Sequence, residues 1–346
     1  MKFIYPDNEK LTYMGRIDDT DKKAPVFIWA CSLVKFRCSG TKFRIKVQNF
    51  KNYYNNYIGV IIDGEMEKFL LPPDDRIVTL DISKELEDTM HEIIVYKRMD
   101  GCHYFKVLGF EVDDQAELGK KMELPVRKME FFGDSVSCGE VSEACWFEGE
   151  EDPQHNGEFS NSWWGYSFIT ARNLGAQIHD TSQGGIPLLD GTGYYEAPDY
   201  LGMESCYDKL RYSKSLGSRS DWDFSKYTPH VVVVAIGQND SNPENYMHED
   251  YDGEKAKHWR AEYEKFLKTL RRKYPNALIV LTTTILGHDK EWDQAIDDVC
   301  KNMQDDKVVH FLYTNNGCGT KGHIRKSEAI VMAYMRRDLR CLPGIR

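Results

Sequence analysis

The spacing of apolar residues changes once along this 346-residue chain, near residue 120, and that change constrains the fold more than any other feature. Before it, apolar and polar residues alternate, as in Phe43, Ile45 and Val47 and again in Val78, Leu80 and Ile82. A two-residue period sets one face of a strand in a core and the other in water. Ile58, Val60 and Ile62 lead into Asp63-Gly64, a strong hairpin signal. Residues 26–33, 91–98 and 104–112 are further strand-like runs. Six or more such runs with no long helical pattern predict an antiparallel β-sandwich over residues 1–120.

Residues 113–127 are polar and charged and are expected to link or cross between domains. Beyond them the apolar runs become continuous: 231–236, 277–285 and 308–313, with shorter strands expected at 128–132 and 176–179. Continuous apolar strands are buried on both faces, as in a parallel sheet covered by helices. Between the runs lie helical stretches. One spans 162–174 and stops at Gly175, and Trp259, Tyr263, Phe266, Leu267 and Leu270 mark one face of another before Pro275. A last helix is expected over 326–339. Residues 121–346 are therefore read as a three-layer α/β/α domain with a mostly parallel sheet.

Several function classes fall away on composition. With 55 acidic against 45 basic residues the formal charge is −10, the wrong sign for a general nucleic-acid binder. No apolar run approaches the roughly 20 residues of a membrane span. The first ten residues hold no apolar signal core, so a cytoplasmic location is expected. Nine scattered cysteines with no Cys-x2-Cys pair, and ten dispersed histidines, predict chemistry without metal or cofactor in a reducing compartment.

Four short motifs stand at a strand end, where ligand sites of parallel sheets gather, or just before the last helix. The first is Gly133-Asp134-Ser135, after the first α/β strand; a serine leaving that strand for a helix would present its hydroxyl at the sheet's rim. Taken alone, the triplet also reads as a turn with Asp134 or Ser135 as a helix N-cap. The second is Gly237-Gln238-Asn239-Asp240, where the Asn239 amide could donate to an oxyanion or simply close a turn. The third is Ser182-Gln183-Gly184-Gly185, whose glycines let backbone approach a ligand. The fourth is His323, just ahead of the last helix, in a setting where most histidines have no catalytic role.

In that order, the four motifs resemble the blocks of the SGNH (GDSL-like) hydrolase superfamily. A β-sandwich running into Lys128-Met-Glu-Phe-Phe-Gly-Asp-Ser135 is similar to carbohydrate esterase family 2, in which an N-terminal jelly roll precedes an SGNH domain. Met14-Gly-Arg16, Ile61-Ile-Asp-Gly64, Val95-Tyr-Lys-Arg98 and residues 269–278 extend the likeness. The resemblance implies Ser135 as nucleophile and His323 as its general base. It implies an oxyanion hole of the Ser135 and Gly184 amides, with Gly185 as the alternative to Gly184, and the Asn239 side chain. A serine hydroxyl attacks well only when a base takes its proton, and fixed donors stabilise the tetrahedral oxyanion.

One position departs from the pattern. The superfamily usually has an aspartate three residues before the histidine, and here that residue is Thr320; Ile324 replaces the usual proline. The family includes Ser–His dyads oriented by a backbone carbonyl, and Asp305 or Asp306 could supply a carboxylate instead. Asp134 and Asp240 are expected to bind backbone in the motif loops. Trp163 and Trp164, with Tyr166, Tyr194 and Tyr195 nearby, are candidate sugar platforms, although aromatics at helical spacing are more often core. The partner implied is an acetylated oligo- or polysaccharide of the xylan, mannan or glucomannan type. Two alternatives remain: a glycan-binding protein that has lost catalysis, and a short-chain lipase or thioesterase.

Overall fold

The computed structural model describes residues 1–83 and 85–335. Eleven strands precede residue 113. β1 (Lys2–Ile4), β3 (Ile17–Asp18), β4 (Val26–Phe27), β6 (Phe43–Phe50), β9 (Ile77–Asp81) and β11 (Tyr104–Val112) form one sheet. β2 (Thr12–Met14), β5 (Leu33–Gly40), β7 (Tyr57–Ile62), β8 (Glu65–Leu70) and β10 (Thr89–Lys97) form the second. All pairings are antiparallel. Alternate residues of β5 and β6 are buried, and Phe36, Phe43, Val47, Val95, Phe105 and Phe110 form the core between the sheets. This is the sandwich that the two-residue period predicts.

One expected strand is broken. The run 26–33 splits into β4 and the start of β5, because Cys31 takes a left-handed conformation (φ 61°) and turns the chain. Ala30, at that corner, bridges to Asp180 of the second domain. The apolar run is continuous because its middle is buried against that domain, not because it is one strand.

In the second domain β12 (Arg127–Gly133), β13 (Ala176–Ser182), β16 (Val231–Ala235), β17 (Leu278–Leu281) and β18 (Val308–His310) form a parallel sheet, ordered β13-β12-β16-β17-β18. β14 (Lys209–Arg211) and β15 (Ser220–Asp221) make a small ribbon. The helices are α1 (Tyr166–Asn173), α2 (Tyr246–Glu249), α3 (Glu254–Lys273), α4 (Lys290–Met303) and α5 (Lys326–Met335). α3 buries the face read from the sequence, Trp259 to Leu270. α1 starts later than expected: Ser162–Trp164 is a 3-10 turn capped by Asn161, and Gly165 separates it from α1. Gly175 (φ 59°) ends the element as anticipated. The far end of the expected last helix lies outside the described residues. Among the described residues no helix is long and apolar enough to cross a membrane, and the eight cysteines are free.

The strand order places the site. From β12 the chain goes outward to β13, then returns past β12 to β16, so its direction across the sheet reverses between β12 and β16. A crevice opens at the carboxyl ends of such a pair. Gly133 and Ala235, the last residues of the two strands, are partners in register.

Candidate active site

Ser135 stands two residues beyond β12, and Asn239 four beyond β16. Gly133 is required here, since a Cβ would collide with Ser137 Oγ. Asp134 ties the two loops: its Oδ1 accepts from the Val136 amide at 3.0 Å, and its Oδ2 from Gln238 Nε2 at 2.7 Å and Asn239 Nδ2 at 3.3 Å. Asp240 accepts from the Leu188 and Leu189 amides at 2.8 and 3.1 Å, holding the segment after the glycine pair. Burial raises both carboxyls above their usual range, that of Asp240 to about 7, against these hydrogen bonds.

The serine does not enter a helix, as the sequence suggested. Residues 134–165 form a long excursion of turns and short 3-10 pieces before α1. That excursion carries two groups that no motif indicated. Asp152 Oδ2 lies 2.5 Å from His323 Nδ1, and its Oδ1 accepts from the His323 amide at 2.9 Å and pairs with Arg325 at 2.7 Å. Glu140 Oε2 lies 4.0 Å from His323 Nε2, and the Glu140 amide donates to the Ser135 carbonyl at 2.9 Å. Val141, next to it, is buried and holds φ 56°, a strained value for a β-branched residue.

The charges follow from these contacts. Burial opposes protonation of His323, but its hydrogen bond to Asp152 and the charges of Glu140 and Asp152 hold its pKa above the usual histidine value. For Asp152, burial pushes upward and is outweighed by the His323 hydrogen bond and charge and by Arg325, leaving the carboxyl far below its usual range. Burial, with Asp100, Asp152 and Asp134 nearby, raises Glu140 to about 7 despite the His323 charge.

One cleft of about 580 Å³ holds Ser135, Glu140, Asp152, Gly184, Gly185, Asn239 and His323 together. Within the described residues no hydrogen bond joins Ser135 Oγ to His323. The sandwich supplies one wall through Tyr53 and Tyr54, and Tyr194 stands on another, 61 % exposed. Asp100, also from the sandwich, reaches beneath the floor: its Oδ2 accepts from Tyr53 Oη and Gln183 Nε2 at 2.7 Å and from the Gly184 amide at 3.0 Å.

Several sequence expectations change here. The Gly184 amide is engaged by Asp100, while among the described residues no hydrogen bond engages the amides of Ser135 and Gly185. Asn239 Nδ2 also donates to the Ile186 carbonyl at 3.0 Å. Thr320 orients no imidazole; its backbone is tied to Ile285 and Gly287. Asp305 is committed to Arg271 at 2.7 Å, so the carboxylate on His323 comes from Asp152 and not from Asp305 or Asp306. Trp163 and Trp164 do not line the cleft. Trp163 packs on Tyr96, Phe168 and the Arg172 guanidinium, and Lys326 Nζ lies 3.5 Å from the Trp164 ring centre. Tyr166 is core, whereas Tyr194 and Tyr195 do line the cleft. Asp134 and Asp240 bind backbone as expected.

Residues 13–121 match the family described as carbohydrate esterase 2 N-terminal. The chain carries the two-domain fold of family two carbohydrate esterases. A family two carbohydrate esterase from Clostridium thermocellum, solved in complex with cellohexaose, superposes with a TM-score of 0.78 at 25 % identity, covering 97 % of this chain and 100 % of that one. The chain is 32 % identical over 327 residues to the cellulase/esterase CelE of Acetivibrio thermocellus, covering 92 % of this chain but only 37 % of that much longer protein. It is 26 % identical to the acetylxylan esterase / glucomannan deacetylase of Cellvibrio japonicus, covering 95 % of this chain and 88 % of the relative.

Proposed function

We propose that this protein is a serine-dependent carbohydrate O-acetyl esterase acting on acetylated oligo- or polysaccharides of the xylan and mannan type. The observation that carries the reading is that one cleft holds a serine at a strand end and a histidine whose Nδ1 is hydrogen-bonded to a carboxylate. Ser135 Oγ attacks the acetyl carbonyl carbon while His323 Nε2 takes its proton. Asp152 keeps Nε2 free of hydrogen and stabilises the imidazolium. The Ser135–His323 hydrogen bond forms with substrate in place, as catalytic contacts in unliganded enzymes commonly tighten on binding. The oxyanion is met by the unengaged amides of Ser135 and Gly185. Asn239 Nδ2 joins them by giving up its long 3.3 Å contact to Asp134. Collapse breaks the C–O bond to the sugar, and His323 returns the proton to the departing hydroxyl. Water then repeats the sequence and releases acetate.

The relatives' names, acetylxylan esterase / glucomannan deacetylase and cellulase/esterase, support the substrate class. The cleft's lining supports it too. Tyr53, Tyr54 and Tyr194 offer faces for sugar rings, and Glu151 and Glu196 offer acceptors for hydroxyls. This is no long apolar groove for an acyl chain, which argues against the lipase reading. The inactive-binder reading rested on Thr320 alone and loses its support, since Asp152 supplies a carboxylate. Acetate release from acetylated xylo- and manno-oligosaccharides tests the proposal. Ser135→Ala and His323→Ala should each lower turnover by about 10⁴-fold or more with the fold intact. Full activity in Ser135→Ala, or no release from any acetylated sugar, would refute it.

A further inference from the structure

Glu140 brings a second carboxylate to His323, on the ring nitrogen opposite the one that Asp152 holds. Its Oε2 lies 4.0 Å from His323 Nε2, and its Oε1 lies 3.9 Å from His155 Nε2. The same Oε2 stands against Gly184, where a Cβ would come within 2.7 Å of it. The carboxylate therefore lies between the base and the glycine pair. It lines the cleft with Ser135, and among the described residues no hydrogen bond engages it. An ionised carboxylate accepts through both oxygens, and one left open to a cleft calls for donors from a guest.

The turn that carries Glu140 holds it in place. The Glu140 amide donates to the Ser135 carbonyl at 2.9 Å, so acid and nucleophile share one turn. Val141, buried beside it, keeps φ 56°, and strain of this kind at a cleft points to a position held for function. The carboxylate is also costly, since burial and the nearby Asp100, Asp152 and Asp134 raise it to about 7 despite the His323 charge. Its 4.0 Å gap to Nε2 is too long for a hydrogen bond and is the width of one bridging water. A water roughly 2.8 Å from each atom would span an angle of about 90°, close to that between its own two hydrogens.

We propose that Glu140 and His323 together hold the water that hydrolyses the acetyl-enzyme, which makes Glu140 a catalytic residue of the second half-reaction. The inference rests on the serine-esterase reading. The water donates one hydrogen to Nε2 and the other to Glu140 Oε2, leaving its lone pairs for the acyl carbon on Ser135. As the new C–O bond forms, the first proton passes to Nε2, while the second stays on the attacking oxygen. Collapse breaks the bond from the acyl carbon to Ser135 Oγ, and His323 returns its proton to that oxygen. Acetic acid departs and loses its own proton to solvent. In the first half-reaction the departing oxygen carries no second hydrogen for Glu140 to accept, so the loss of Glu140 falls on deacylation.

The test is stopped-flow hydrolysis of nitrophenyl acetate on the alkaline plateau of each protein's pH profile, followed by mass spectrometry of the quenched protein. In Glu140→Ala, deacylation should slow about 10²-fold and acylation far less. Nitrophenol should then appear in a burst of about one equivalent per enzyme, and acetyl should accumulate on Ser135. Glu140→Gln keeps an acceptor oxygen and loses the charge; its deacylation rate should fall between those of Glu140→Ala and wild type, which guards against a folding defect. Equal slowing of both steps with no burst would overturn the proposal. So would an unaltered deacylation rate with KM raised for acetylated oligosaccharides, which would make Glu140 an acceptor for a sugar hydroxyl. Turnover without acetyl on Ser135 in any of the three proteins would overturn the serine mechanism as well.

Discussion

The serine side and the histidine side of the cleft are built by opposite means. Ser135 and Asn239 emerge from adjacent strands of one sheet, and apart from the Glu140 amide and Cys138 thiol on the Ser135 carbonyl, the contacts that hold their loops come from neighbouring strand ends: Asp134, Gln238, Ile186. His323 precedes α5 in a chain of turns and is fixed by Asp152, 171 residues earlier in the sequence. Sheet geometry determines the first side. The second depends on one loop reaching across, and that loop is the insertion between Ser135 and α1. The position three residues before the histidine can therefore be Thr320, with no carboxylate, without the imidazole losing its partner.

The sharpest way to break this comparison is to remove the loop's contribution. Asp152→Asn keeps the side chain's size but not its charge. We expect kcat to fall about 10³–10⁴-fold, as for the loss of the orienting carboxylate in a triad. Because Asp152 raises the His323 pKa and the base must be neutral, the acid limb of kcat/KM should shift to lower pH. An unchanged pH profile with full activity would mean that the carboxylate only anchors the loop through Arg325. On the serine side, Asn239→Ala should lower kcat about 10²–10³-fold with KM nearly constant. A rise in KM alone would assign Asn239 to ground-state binding instead.

The sequence revealed what local patterns determine. Alternation marked the sandwich strands, continuous apolar runs marked β16, β17 and β18, and Gly175 marked the end of α1. Ser135, Asn239 and His323 were legible because each sits in a short motif next to a strand or helix boundary. Asp152 and Glu140 were not, since nothing near either residue marks it as different from the other acids of a polar loop; only the fold brings them to His323. The engagement of the Gly184 amide by Asp100 was hidden for the same reason, as it joins two domains. α4 was a different kind of miss: Trp292, Ala295, Ile296 and Val299 have helical spacing and mark its buried face.

Glu140 allows a finer comparison, because its charge is a cost of building the histidine side. Its pKa of about 7 in the folded protein lies above the ordinary 4.5. The folded state thus holds the proton more tightly, and this advantage is complete below about pH 4.5 and disappears as pH rises through 7. Glu140→Gln should accordingly stabilise the fold at pH 8 by up to about 3 kcal/mol, at 1.36 kcal/mol per pKa unit, and change little at pH 4.5. Urea unfolding at the two pH values measures this. Equal stabilisation at both would mean that the ionised carboxylate is not strained in the cleft.

The smallest effect separates the cleft's walls from its surroundings. Tyr194 is exposed and lines the cleft, whereas Trp163 is held between Tyr96, Phe168 and Arg172 outside it. If sugar rings stack on the cleft wall, Tyr194→Ala should raise KM for an acetylated oligosaccharide about 3–10-fold, the worth of one aromatic contact. Its KM for a small aryl acetate, which needs no platform, should stay the same. Trp163→Ala should leave both KM values unchanged and instead lower the melting temperature, because it removes packing and a cation–π contact from the seam between sandwich and α1. The opposite result, with KM raised by Trp163→Ala and not by Tyr194→Ala, would move substrate recognition from the strand-end loops to that seam. The sandwich would then act through a surface well away from Ser135.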